Sequence, residues 1–245
     1  MKTIIFLILF LNISNVYTQT IPNQYESILN DLAEMPYIDK ITHLDNVFKK
    51  QKNDPWYYWM KAGVYELMED STNTRLCYEK SITIDPKFAA GYGSYGRYLL
   101  YSDSSSYAKA ITLSSKAIEL DSSEYYYYID RAETYLKLNK IDEAISDALY
   151  YNSHVSEFYS TTGSVILFHC YRKIKYDEKI KEILDLINLT NNMIEMDDLL
   201  LFADYYNSYG QKNKACTCYQ SAAEQFELIG DEVPAKLLNL LKKCN

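Results

Sequence analysis

Small side chains return at a nearly constant interval along this chain of 245 residues. They stand at Thr74, Ala110, Ala144 and Ala215, so the successive steps are 36, 34 and 71 residues. Each is preceded by a segment with large, small and large side chains at i, i+4 and i+7, the spacing of one helix face. A pattern that repeats in this way predicts stacked helical hairpins, each of which buries its apolar face against its neighbours.

The stretch Tyr125–Asn152 shows one such hairpin most clearly. Two runs with the spacing i, i+4, i+7 lie on either side of a turn with the sequence LNKID. They consist of Tyr128, Ala132 and Tyr135, then Ala144, Ala148 and Tyr151. We therefore expect small residues where the two helices approach most closely.

This arrangement resembles the tetratricopeptide repeat, in which an aromatic, a small residue and a tyrosine precede a turn and an Ala-containing second helix. The interval of 71 residues implies one degenerate repeat over Glu157–Asn188. The resemblance implies an all-α fold, a right-handed superhelical solenoid of about five hairpins. The matching segments are Trp56–Pro86, Phe88–Asp121, Tyr125–Asn152 and Leu199–Ala223.

The N-terminus has the pattern of a secretory signal peptide. Lys2 precedes the apolar run Ile4–Leu11, and Val16 and Thr18 stand at the positions that a signal peptidase reads. We expect cleavage after Thr18 and export to the periplasm or the medium, with an uncleaved N-terminal anchor as the alternative. The predicted organisation is a signal peptide (1–18), capping helices (19–54), the repeat array (55–225, with the degenerate repeat at 155–190) and a C-terminal capping helix (226–245).

The composition argues against several functions. Lys and Arg number 25 against 33 Asp and Glu, whereas nucleic-acid phosphates demand clustered cations. The chain lacks the usual phosphate-loop, dinucleotide, zinc-protease and nucleophile-elbow motifs. His169 and Cys170 are adjacent, so on a helix they diverge by about 100° and do not make a nucleophile–base pair. We expect no enzyme activity, no cofactor and no metal site.

The cysteines are five and scattered, unlike the framework of a small disulfide-rich domain. Cys216 and Cys218 lie in a helical pattern and point to different sides, so they are not expected to bond to each other. Any bridge is expected to join distant segments, with Cys244 as the favoured participant.

The resemblance also implies a binding surface, because first helices of such repeats line a concave groove that holds peptides. At the positions of the lysine and asparagine that clamp a carboxylate in chaperone-binding members stand Trp59 and Gly63. The groove is therefore expected to be aromatic and largely apolar. The acidic balance of the chain favours an apolar or basic protein segment as the partner. The alternative for both tryptophans is packing against the N-terminal helices. The predicted partner-binding residues are Trp56, Trp59, Arg97, Tyr101, Tyr126, Ile129 and Glu133, and further groove positions are Gly63, Ala90, Gly93, Leu200, Asp204 and Asn207.

The consecutive tyrosines 125–128 cannot share one helix face. Tyr128 is assigned to its own hairpin, Tyr125 and Tyr127 to packing on the preceding one, and Tyr126 to the groove. The sequence thus predicts a non-enzymatic interaction scaffold with no membrane span after signal cleavage. The alternatives are a helical hydrolase that uses a groove carboxylate and a glycan-binding surface subunit built on the same array.

Overall fold

The computed structural model describes residues 21–189, 194–228 and 230–244, and every regular element in these ranges is a helix. The predicted signal peptide lies outside the described residues. The chain forms two compact units that divide between Thr134 and Tyr135, within one helix. None of the described helices is long and apolar enough to cross a membrane.

The first unit contains six whole helices and the start of a seventh among its described residues. A 3₁₀ turn at Ser104–Ser106 precedes α6. Helices α3 and α4 pack as one hairpin, and α5 and α6 pack as the next. The helices are α1 (Asn23–Glu34), α2 (Tyr37–Val47), α3 (Pro55–Leu67), α4 (Ser71–Ile84), α5 (Ala89–Leu100), α6 (Tyr107–Leu120) and α7 (Tyr126–Lys137).

The second unit begins in the last turn of α7. Helix α9 packs on α8 and α10, and α11 packs on α12, which also contacts the last helix. The helices are α8 (Ile141–His154), α9 (Glu157–Lys173), α10 (Asp177–Leu186), α11 (Met196–Ser208), α12 (Lys212–Leu228) and α13 (Ala235–Leu241).

Four hairpin turns share one backbone geometry. In each turn one residue has a positive φ, and the next amide donates to a tyrosine carbonyl five residues back at 2.8 to 3.0 Å. This 6→1 bond is the Schellman closure of a helix, and it satisfies a carbonyl that the helix end leaves unpaired. The left-handed residues are Glu69, Asn139, Lys175 and Gly210, and the accepting tyrosines are Tyr65, Tyr135, Tyr171 and Tyr206.

The same turn closes α9 and α10, so the segment with the weakest sequence pattern has the hairpin geometry of the others. The exception is the α5–α6 turn, where the serine-rich insertion forms the 3₁₀ turn at Ser104–Ser106.

The helices of a hairpin meet at small side chains. A Cβ placed on Gly96 of α5 would stand 2.7 Å from Ser114 Oγ and 3.2 Å from the carbonyl oxygen of Ala110, both on α6. Ala110 is fully buried, and Ser114 is nearly so. The approach is therefore limited by backbone contact, as the repeat pattern predicts.

The core of the first unit is rich in aromatic residues. Tyr25 of α1 and Phe48, which follows α2, are buried with residues of α3 to α6 in one cluster. Tyr127 is 1 % exposed, and its ring occupies the space that a Cβ on Gly93 would need. Packing of Tyr127 on the preceding hairpin is thus confirmed. Tyr128 is only half-buried, with its ring 5.7 Å from the guanidinium of Arg131.

A disulfide joins Cys216 of α12 to Cys244, beyond the end of α13. The predictions that Cys216 does not bond to Cys218 and that a bridge joins distant segments through Cys244 are confirmed. Desolvation raises the pKa of Cys77 and Cys170 to about 11 and that of Cys218 to about 12. These three buried thiols are protonated at neutral pH, so they are poor nucleophiles for exchange with the bridge.

We predict that Ala110→Leu lowers the free energy of unfolding by about 1–3 kcal/mol, because the added carbons have no space between α5 and α6. Ala108→Leu is the matched control, since Ala108 is exposed on the same helix. It should change the free energy by no more than about 0.5 kcal/mol. Urea denaturation measures both, and equal losses would contradict the assigned packing face.

Candidate functional site

The two tryptophans of the predicted groove are packed inside the first unit. Trp59 is 8 % exposed, and its Nε1 donates to Ser94 Oγ at 2.8 Å. Trp56 is half-buried, stacked on Tyr25 at 5.3 Å and edge-on to Phe88 at 4.8 Å between ring centroids. Helices α3 and α5 approach closely enough to bury Trp59, so its side chain packs inside the first unit, and a role for it in partner binding stays a prediction.

Several other predicted groove positions are buried as well. Ile129 is 5 % exposed, Gly63 and Ala90 are also buried, and Gly93 lies beneath the ring of Tyr127. These side chains hold neighbouring helices together, and a partner cannot reach them without a rearrangement.

Four predicted residues remain accessible on the first helices of the first unit. Tyr101 is 53 % exposed at the end of α5, and its hydroxyl donates to Glu133 Oε2 of α7 at 2.7 Å. Arg97 lies one turn before Tyr101, and Tyr126 lies at the start of α7; both are half-buried. The structure therefore brings Arg97, Tyr101 and Glu133 together.

Two carboxyl groups that the sequence analysis did not select join them. Asp130 precedes Glu133 by three residues on α7, so both lie on one helix face. Glu66 of α3 accepts a hydrogen bond from the hydroxyl of Tyr78 and interacts with Arg97. We call Glu66, Arg97, Tyr101, Asp130 and Glu133 the Arg97 cluster.

The cluster brings several ionisable groups close together, and Glu66 and Asp130 are partly shielded from water. Desolvation raises the pKa of Asp130 to about 7, with Glu133 adding to the rise and Arg97 opposing it. Desolvation also raises the pKa of Glu66 to about 7, against the lowering effects of Tyr78 and Arg97. The pKa of Tyr101 is raised, chiefly by desolvation and by the charge of Glu133.

The Arg97 cluster has an excess of acid. Three carboxyl groups surround one guanidinium, and two of them pay a desolvation penalty when they ionise. A cationic group placed among them would offset that penalty. The cluster is therefore suited to an ammonium or guanidinium group from a partner.

The predicted groove positions of the second unit lie on α11. Leu200 is half-buried, and Asp204 and Asn207 are exposed. Asn207 Nδ2 donates to the hydroxyl of Tyr219 at 3.0 Å. His169 Nε2 lies 2.8 Å from Asp198 Oδ1, which joins α9 to α11. Within the described ranges no three His, Cys, Asp or Glu side chains are grouped to hold a metal ion.

We predict that Trp59→Ala lowers the free energy of unfolding by about 3–5 kcal/mol, the cost of removing a large buried aromatic side chain. Trp59→Phe should lose less, since it keeps most of the packing and gives up the bond to Ser94. Guanidinium denaturation measures both variants. A Trp59→Ala protein as stable as the wild type would show that the side chain is not part of the core.

Glu66→Gln should raise the free energy of unfolding at pH 8 by about 1 kcal/mol and leave it unchanged at pH 4. The folded pKa of Glu66 is higher than its ordinary value of 4.5, so its destabilising effect is absent below about pH 4.5 and grows as the pH rises to about 7. Urea denaturation at the two pH values measures the difference. Glu26→Gln, at an exposed site on α1, should show no such pH-dependent gain.

Comparisons with known proteins agree with this architecture. A family model described as tetratricopeptide repeat matches residues 57–88, which span α3, α4 and the turn that follows. The resemblance to this repeat is thereby confirmed for the first hairpin. A comparison with curated protein sequences finds no significant match.

Solved structures share the fold along most of the chain. PilW, described as a widely conserved type IV pilus biogenesis factor, is 13 % identical with a TM-score of 0.68, over 98 % of this chain and 99 % of that one. PilF of Pseudomonas aeruginosa is 12 % identical with a TM-score of 0.68, over 92 % of each chain. MamA is 16 % identical with a TM-score of 0.55, over 74 % of this chain and 98 % of that one. The predicted all-α array of helical hairpins is confirmed, and at these identities the likeness concerns the fold alone.

Proposed function

We propose that this protein is a non-enzymatic interaction protein whose first unit holds a basic segment of a protein partner at the Arg97 cluster. One observation carries the proposal. The cluster places three carboxyl groups around one arginine on accessible parts of the first helices α3, α5 and α7, outside the buried core. Helical-repeat proteins commonly use such faces to bind peptides.

The packing of the two tryptophans limits which kind of partner the first unit can bind. An apolar anchor of a partner would need an open aromatic pocket. The ring of Trp56 already packs on Tyr25 and Phe88, and Trp59 is already hydrogen-bonded to Ser94. The charged groups remain reachable, and their excess is negative. We therefore favour the basic partner over the apolar one, with Tyr101 and Glu133 as the main contacts.

The disulfide supports an exported location. Bridges such as Cys216–Cys244 persist in oxidising compartments and are rare in the cytosol. Together with the signal-like pattern of residues 1–18, this favours action in the periplasm or outside the cell.

A second candidate function rests on the same carboxyl groups. A pKa of about 7, as at Asp130, suits a general acid. Hydrolysis is therefore the alternative function of the Arg97 cluster. It is tested by turnover of chromogenic glycoside and ester substrates. Turnover that Asp130→Asn abolishes would replace the binding proposal.

We test the binding proposal with three ten-residue peptides of one Gly-Ser background that carry three lysines, three glutamates or no charge. The lysine peptide should bind most tightly, and Glu133→Gln should weaken it about two- to fivefold, as expected for one accessible ion pair. Its affinity should rise from pH 6 to pH 8, because Glu66 and Asp130 ionise over that range.

Isothermal titration calorimetry measures the three peptides and both pH values. Glu26→Gln is the control, since it removes one carboxylate from the exposed face of α1. It should bind like the wild type. Equal affinity for all three peptides would contradict the proposal.

A further inference from the structure

A second charged surface lies at the other end of the first unit. An open cleft of about 880 Å³ separates the start of α1 from the loop that joins α2 to α3. Cationic and amide groups line it, together with the rings of Tyr25, Pro55 and Trp56. The polar side chains of the rim are Gln24, Lys49, Lys50, Gln51, Lys52 and Asn53.

The rim is basic in a chain whose formal net charge is −8. Three lysines fall within four residues, and Lys49 and Lys50 are exposed. Neither Lys49 nor Lys50 has a side-chain partner in the described part of the chain. Lys52 lies 6.0 Å from the ring of Tyr57. Two ammonium groups at the cleft therefore have unused hydrogen-bond donors.

The acidic group at the cleft is already satisfied. Asp54 Oδ1 accepts from the backbone amide of Trp56 at 2.9 Å, and Asp54 Oδ2 accepts from the hydroxyl of Tyr25 at 2.5 Å. This carboxylate caps α3, and its single negative charge stands against the three lysines of the rim. The cleft keeps a local excess of positive charge.

The aromatic residues close the cleft and do not open a pocket in it. The rings of Tyr25 and Trp56 are stacked on each other, and Trp56 is also edge-on to Trp59 and Phe88. A protein segment usually needs an open apolar pocket for an anchoring side chain. A ligand that is rich in hydroxyl groups and carries negative charge needs the amides and ammonium groups that this rim supplies.

We propose that this cleft binds an acidic oligosaccharide, with Lys49 and Lys50 contacting its carboxylates and Gln24, Gln51 and Asn53 contacting its hydroxyl groups. The site differs from the Arg97 cluster in its residues and in the sign of its charge. The proposal goes beyond the proposed function and stands or falls independently of it.

The test uses the full exported chain and calorimetric titration with tetragalacturonate, its neutral counterpart tetragalactose and a tetraglutamate peptide. Tetragalacturonate should bind most tightly, and its affinity should fall as salt is raised from 50 to about 300 mM, because exposed charge pairs are screened. Lys49→Gln/Lys50→Gln should weaken it about five- to tenfold.

Lys80→Gln/Lys87→Gln is the matched control, because it removes the same charge from exposed positions away from the cleft. It should bind tetragalacturonate like the wild type. Equal losses of affinity for tetragalacturonate in the two double variants would indicate a general effect of charge and would overturn the proposal. Tighter binding of tetragalactose or tetraglutamate, or no binding of tetragalacturonate, would also overturn it.

Discussion

The close approach of paired helices at small side chains is the constraint on which the rest of the structure depends. Gly96 meets Ser114 and the backbone at Ala110 with no space for another carbon. Because each hairpin is this tight, its large side chains are forced outward, to the next hairpin or to the surface. Tyr127 illustrates this, since its ring fills the gap that Gly93 leaves on the preceding hairpin.

Tyrosine suits a fold of this kind because it combines a large apolar ring with a hydroxyl at its end. Buried or half-buried rings reach polar groups at helix edges with that hydroxyl. The Tyr95 hydroxyl donates to Glu79 and accepts from Lys109, and the Tyr206 hydroxyl donates to the carbonyl of Leu184. At these two positions the helices gain aromatic packing while the buried hydroxyl keeps a hydrogen-bond partner.

The first unit separates its charges. The Arg97 cluster gathers carboxyl groups on the first helices α3, α5 and α7, whereas Lys49 and Lys50 stand on the loop before α3. Two surfaces of opposite charge in one unit would bind different ligands, and neither ligand would compete for the site of the other. The disulfide at Cys216–Cys244 belongs to the second unit and joins α12 to the segment that follows α13.

The sequence by itself determined the hairpins, their period and the absence of a bond between Cys216 and Cys218, because these follow from local rules. Residues i, i+4 and i+7 share a helix face wherever the chain folds, and Cys216 and Cys218 diverge on any helix. Which side chains remain accessible was decided only by the tertiary structure. Trp59 is buried because α5 brings Ser94 to it, and Asp130 joins Arg97 because α7 lies beside α5. Those contacts depend on how closely neighbouring hairpins pack. A periodic pattern in the sequence does not give the distance between one hairpin and the next.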